Sequence, residues 1–343
     1  MPPTPAVSDG RRPTLADVAA RAGVSTALVS IVMRGAKGAS TATRERVMAA
    51  AQEIGYRPDS RARLLRSNRT RLIGVQFEIQ EPFHADLVER LYSAAEAAGY
   101  QLALSAVAAS RSERQAVEPL LGDRCEALIL LGPKAPPARL AELAALLPVA
   151  SVARRLRPAV PGVHVVRTAD DEGASQAVDH LVALGHRDIL HVDGGRAPGA
   201  AERRRGYRTA MTDHGLGDRV RVLPGGLTEQ DGAAAARAIV DATPWPTAVL
   251  AFNDACATGL LGALFRAGVQ VPGEISVVGF DDSRVARLPH VDLTTVAQDT
   301  SRIAQLTVAA VTARLEGGVP PGREDVVAPR LVVRGTTAPR RSP

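Results

Sequence analysis

Two polar pairs in the 343-residue sequence stand directly behind short apolar runs. Asn253-Asp254 follows the run 248–252, and Asp281-Asp282 follows the run 276–280. An amide and carboxylates at the carboxyl ends of strands can hold hydroxyl groups through paired hydrogen bonds. A third candidate is Gln80-Glu81-Pro82-Phe83-His84, the loop behind the first apolar run. Phe83 could stack on the ring of a small ligand, and His84 or Gln80 could hydrogen-bond it; a capping or core role suits each nearly as well. Arg203 lies in AERRRGY, where an Arg is ordinarily part of a solvated helix face.

Other chemistries find little footing. The sequence has no nucleophile elbow, no P-loop, and no His, Cys and carboxylate cluster at metal-ligand spacing, so neither a cofactor nor a metal is expected. Gly194-Gly195 and Gly199 follow an apolar run but lack the dinucleotide-binding spacing. His186 and His191 are five residues apart and read as structural. Turnover of a small molecule by the purified protein would be needed to support an enzyme. Cys125 and Cys256 sit far apart in apolar surroundings and read as small buried hydrophobes of a reducing compartment. The first residues, MPPTPAVSDGRRPT, contain no apolar core of a signal peptide, and no segment approaches the length of a membrane span. A cytoplasmic protein with no membrane partner is therefore expected, and a secreted transport binding protein is not.

The elements that must position these residues fall into two kinds. From residue 71 onward, apolar runs alternate with amphipathic helical stretches, the pattern of parallel α/β units. Strands are expected at 72–77, 101–106, 127–131 and 149–152, then again at 163–167, 189–193, 221–223, 248–252 and 276–280. Helices are expected between them. Two such series predict two doubly wound lobes, with ligands outside the carboxyl ends of the strands, in the cleft.

The first 71 residues differ in charge and pattern. They hold 13 Lys and Arg against 5 Asp and Glu, while the remainder holds 29 against 31. A basic head on a near-neutral body fits a nucleic-acid partner or a merely solvated surface about equally well. Thr14 can cap a helix over 15–22, with Asp17 placed for a capping box. Gly23 ends it, and Ser25 caps a second helix, 26–34, three to four residues on, as a helix-turn-helix requires. Ser40 or Thr41 caps a third, with Val47, Met48, Ala51 and Ile54 as its apolar stripe.

The segment TLADVAARAGVSTALVS resembles the DNA-binding head of the lactose-repressor (LacI) family of transcription regulators. The likeness runs without a gap through STATRERVMAAAQEIGYRPDSRARLLRS to LIGV. Farther on, HLVALGHRDILHV, AERRRGYRTAM, AVLAFNDACATGLLGAL, VPGEISVVGFDD, LTTVAQD and RLVVRGTT resemble the family's two-lobed effector domain, itself similar to periplasmic sugar-binding proteins. The implied fold is an all-α helix-turn-helix head plus an α/β two-lobed, periplasmic-binding-protein-like effector domain. The implied boundaries are a disordered tail at 1–12, the head at 13–58, a hinge helix at 59–70 and the effector domain at 71–338. Lobe one would hold 71–162 and 291–318, and lobe two 163–290 and 319–338.

The resemblance implies a recognition helix over Ser25–Arg34 in the major groove, with Thr26 and Ala27 at base edges and Ser30 on phosphate. Thr14, Ser40, Thr43 and Arg44 are helix-end groups able to reach phosphates, and Tyr56 joins the expected DNA contacts. Leu28 and Ile31 stand where the family usually has Thr and an Arg that reads guanine, so an altered operator is expected. In the hinge, Leu65 matches a Leu that wedges between central base pairs; Arg61, Ala62 and Arg66 lie beside it. Leu64-Leu65 in a plain linker helix is the other reading. In the effector domain, the resemblance places Asn253, Asp254, Asp281, Arg203 and Gln298 at or behind the ligand, with Arg154 retained from a family motif. Ala153 and Ala169 replace family carboxylates, and Leu227 replaces an aromatic found in some sugar-binding members. A modified or anionic sugar, suggested by Arg154 and Arg203, or another metabolite therefore competes with a simple hexose. The implied assembly is a homodimer on a near-palindromic operator. With no heptad run after RLVVRGTT, dimers are expected rather than tetramers.

Overall fold

The computed structural model describes residues 13–33, 35–56, 69–318 and 323–340. The tail, Arg34, and the hinge residues Arg61, Ala62, Leu65 and Arg66 lie outside the described residues. The chain divides into two units, Met1–Thr70 and Arg71–Pro343.

The first unit contains α1 (Leu15–Ala22), α2 (Thr26–Met33) and α3 (Thr41–Glu53). Thr14 and Asp17 form the reciprocal capping box, and Gly23 takes φ 64° to end α1. The turn sets α1 and α2 at 105°, within the range of a helix-turn-helix. Val18, Ala22, Val29, Val32, Val47 and Ala51 are buried among the three helices. Met48 is 52% exposed, contrary to the expected stripe; Ala50, three residues after Val47, turns inward instead.

The second unit holds two six-stranded sheets. The strands are β1 (Leu72–Glu78), β2 (Gln101–Val107), β3 (Ala127–Leu131), β4 (Val149–Val152), β5 (Val163–Thr168), β6 (Ile189–Asp193), β7 (Arg221–Pro224), β8 (Ala248–Ala251), β9 (Ser276–Asp281), β10 (Thr294–Ala297), β11 (Glu324–Val327) and β12 (Arg330–Val332). The helices between them are α4 (Pro82–Ala97), α5 (Glu113–Gly122), α6 (Pro137–Leu146), α7 (Asp170–Ala183), α8 (Ala200–Asp213), α9 (Glu229–Val240), α10 (Asp254–Arg266) and α11 (Thr300–Leu315). One sheet runs β11-β5-β4-β3-β1-β2, the other β12-β10-β9-β8-β6-β7. All pairs are parallel except β10 with β12. The central strands are buried on both faces, which explains their unbroken apolar runs.

This topology corrects the expected lobe boundaries. β5 pairs with β4 (Val149 opposite Val163), so it ends the first lobe instead of opening the second. β10 belongs to the second sheet, and β11 pairs with β5 in the first. The chain therefore crosses between lobes at 168–170, 297–300 and 327–330. Strand and helix alternate in the same way before and after the crossing at 168–170, so periodicity gives element type but not sheet membership.

Candidate ligand cleft and nucleic-acid interface

The crossings bring the carboxyl ends of strands from both sheets to one cleft. Arg203, on α8, is its most connected side chain and is 6% exposed. Its Nε donates to Asp170 Oδ1 at 2.9 Å and Nη1 to the Phe252 carbonyl at 2.7 Å. Nη2 lies 3.6 Å from Asp281 Oδ1. The guanidinium plane sits 3.6 Å from the Phe280 ring centroid and 4.7 Å from that of Phe252. A delocalised cation tolerates such a dry, aromatic bed better than an ammonium does.

Asp281 ends β9 with φ 117°, and Asp282 follows at φ 51°, a turn that L residues rarely adopt. Gln298 Nε2 donates to Asp281 at 2.7 Å, and Gln298 Oε1 accepts the Thr168 hydroxyl. Gln298 thus ties the site to two of the three crossings. Asp282 turns away to Arg334 at 2.6 Å and Arg287 at 3.1 Å.

On the first lobe, His84 Nδ1 accepts the Glu78 backbone N–H at 3.1 Å. Burial pushes its pKa down to about 4, so the ring is neutral and carries its proton on Nε2. That nitrogen would lie 3.5 Å from a Cβ on Gly132, at the cleft. Phe83 is buried in the first-lobe core and also contributes to the lining.

Phe83, His84, Arg203, Asn253, Asp281 and Gln298 thus come together, as the sequence suggested. Two expectations, for Gln80 and Arg154, need correction. Gln80 is exposed in a turn and lies outside the lining. Arg154 is also outside it, although its charge acts on Glu113, which lines the cleft. Asp254 sits behind the cleft, where it accepts the Ser283 N–H at 2.7 Å and the Thr295 hydroxyl at 2.6 Å. Asn253 reaches the cleft, but its side chain caps α10 through Cys256 N at 2.8 Å and donates to the Leu227 carbonyl at 3.1 Å. The sequence reading missed Gln76, Glu78, Glu113, Lys134 and Asp170. Gln76 and Glu78 had a usable signal: polar residues at alternate positions closing an apolar strand share one face.

The two histidines read as structural are so placed. His186 bonds the Thr247 hydroxyl at 3.0 Å and the Ala338 carbonyl at 3.1 Å. His191 is fully buried against Tyr207, with Nδ1 on the Leu250 carbonyl. Among the described residues, no group of three or more His, Cys, Asp or Glu is placed to hold a metal.

In the head, Ser25, Thr26 and Ala27 are exposed at the start of α2, while Leu28, Ser30 and Ile31 are half-buried. The remaining candidate groups have local roles. The Thr14, Ser25 and Ser40 hydroxyls cap helices, and Thr43 Oγ1 lies 2.9 Å from Ser40 Oγ. Arg44 donates to the Ala36 carbonyl at 3.0 Å, and Tyr56 packs on the head core.

A helix-turn-helix with an open reading edge, followed by a two-lobed ligand-binding unit, defines a ligand-responsive DNA-binding regulator. Residues 14–59 match the profile of "Bacterial regulatory proteins, lacI family", and residues 178–337 that of "Periplasmic binding protein-like domain". The chain is 32% identical over 325 residues to the HTH-type transcriptional regulator GalR of Escherichia coli, covering 94% of each chain. It is similar to the transcriptional regulator CelR–cellobiose complex, with 30% identity, a TM-score of 0.69, and 95% of this chain and 100% of that chain covered. It is similar, too, to the lac repressor dimer bound to operator and the anti-inducer ONPF, with 28% identity, a TM-score of 0.80, and 96% and 100% covered. The chain belongs to the lacI family of bacterial regulatory proteins. It is a DNA-binding transcriptional regulator, and its relatives are regulators rather than enzymes.

Proposed function

We propose that this regulator is a cytoplasmic homodimeric repressor that binds a near-palindromic operator and responds to a small carbohydrate or carbohydrate derivative. The observation that carries this reading is the Arg203 hub. One cation ties residues of α7, β9 and the β8 end to a cleft whose Gln298 reaches the lobe crossings. A ligand bound there favours one angle between the lobes, and that preference is what shifts the DNA-competent population. Cellobiose in the CelR complex and the operator-bound lac repressor dimer support the ligand class and the assembly.

In the head, Thr26 and Ala27 are the residues assigned to base edges, and the hinge, including Leu65, is assigned to the minor groove. Selection from a random duplex library tests the assembly and the reading together. Two half-sites related by a dyad are expected; enrichment of an asymmetric site, or none, overturns the dimeric repressor. Leu65→Ala should weaken operator binding while leaving the ligand-induced rise in melting temperature intact. Unchanged operator affinity would remove the hinge from the mechanism. The same assays with added ligand give the sign of the response, release for an inducer and tightening for a co-repressor.

A further inference from the structure

The cleft lining is acidic in excess. Among the described residues that line it, Glu78, Glu81, Glu113, Asp170 and Asp281 stand against Arg203 and Lys134. Both cations are engaged, Arg203 by Asp170 and Asp281, and Lys134 by Glu78 at 3.0 Å. Glu113 accepts the Lys134 backbone N–H at 2.9 Å. The Glu81 carboxyl, by contrast, has no hydrogen bond or ion pair among the described residues. Burial, with Asp281 next, pushes its pKa up to about 8; Glu78 adds to the rise, while Arg203 and Lys134 oppose it.

A second observation is independent of charge. Gln76 is 3% exposed and lines the same cleft, and its Oε1 accepts no hydrogen bond among the described residues. A buried carbonyl in that state favours any ligand that brings a donor. An added anion would meet carboxylates, and both cations of the lining among the described residues are already engaged.

We propose that the cleft takes a small polyol bearing a protonated amine, such as an amino sugar, with its ammonium beside Glu81 and a donor on Gln76 Oε1. The proposal names the ligand class within the reading above and rests on it. It replaces the anionic sugar suggested by Arg154 and Arg203. Phosphorylated and carboxylated sugars are excluded.

Titration calorimetry on the full-length protein tests this with matched sets: amino-deoxy hexoses and amino-deoxy polyols, their neutral parents, and the parents' phosphates. At least one amine should bind at least about tenfold tighter than its neutral parent, and no phosphate should bind. Near pH 7, buffers of different ionisation heat should reveal a proton released from Glu81 as the amine binds. Glu81→Gln should lower the amine's affinity to that of its neutral parent and abolish the proton release. A neutral parent or a phosphate that binds as tightly as the amine overturns the proposal, and so does a panel in which no amine binds. The wild-type ordering decides the matter even where the variant fails to fold. Operator selection separates the two ideas. A protein that enriches a dyad-symmetric site but rejects amines loses only the ligand class; one that binds an amine but enriches no DNA loses the regulatory reading.

Discussion

At the residue scale, Arg203 acts as a structural hub before it meets any ligand. Its Nε and Nη1 serve Asp170 and the Phe252 carbonyl, and its faces lie against Phe280 and Phe252. Arg203→Met would leave Asp170 and Asp281 buried without their cation, a loss of about 3–5 kcal/mol by denaturant unfolding. A loss below about 1 kcal/mol would show that the hub does not organise the lobe. Asp254 makes a separate prediction about pH. Burial, and Asp281 after it, push its pKa up to about 8 from 3.8, so the folded state holds a proton that the unfolded chain releases. That stability is full below the unfolded value and is lost as pH rises through about 8. His84 and His191 work the opposite way, but only between about 4 and 6.5, where both are neutral when folded. The melting temperature should therefore fall between pH 6.5 and 8.5. Asp254→Asn can still accept from Ser283 N and donate to the Thr295 hydroxyl, and it should lessen that fall, with the remainder from Glu81, whose pKa is likewise pushed up to about 8. Parallel wild-type and variant curves would assign the slope to other groups.

At the element scale, the second lobe joins helices through glycines. A Cβ on Gly259 of α10 would lie 1.8 Å from the Glu229 carbonyl oxygen, and one on Gly232 of α9 would lie 1.9 Å from that of Cys256. These backbones pack too closely for any side chain between them. Gly259→Ala should cost about 1–3 kcal/mol or more, because the helices must separate. Gly262→Ala, one turn on, meets only the end of the Arg266 side chain, at 3.5 Å, and should be neutral or slightly stabilising through helix propensity. Thermal unfolding of the two variants compares them directly; equal effects would mean that the contact is not tight. In the head, the elements follow from local chemistry. The Thr14–Asp17 box and Gly23 lie within ten residues of one another, so the sequence alone places both ends of α1.

At the scale of the whole molecule, charge and topology divide the work. The basic excess lies in the first 71 residues, with 13 Lys and Arg against 5 Asp and Glu. Binding to DNA should therefore weaken steeply with salt, by about 10³-fold or more between 50 and 200 mM if at least six phosphates are neutralised. Fluorescence anisotropy with a labelled duplex measures the slope, and an affinity flat in salt would rule out a phosphate-dominated interface. Topology supplies the response. The crossings at 168–170, 297–300 and 327–330 join the lobes, and the Thr168–Gln298–Asp281 chain links two of them to the cleft.

The sequence by itself determined the element types as far as β9, because helix and strand periods, caps and glycine stops act over a few residues. It also determined the family, through a nearly continuous set of motifs, and singled out Arg203, Asp281, His84 and Gln298 through those motifs and the strand-end rule. Tertiary structure decided which lobe owns β5, β10 and β11, since sheet membership depends on pairing between distant segments. It also decided which polar groups remain available to a ligand. Asn253 is committed to a helix cap and Asp254 to support behind the cleft, whereas Gln76 Oε1 and the Glu81 carboxyl, on residues that line the ligand space, have no hydrogen-bond partner among the described residues. Availability depends on neighbours brought in from both sheets, and spacing along one chain does not encode it.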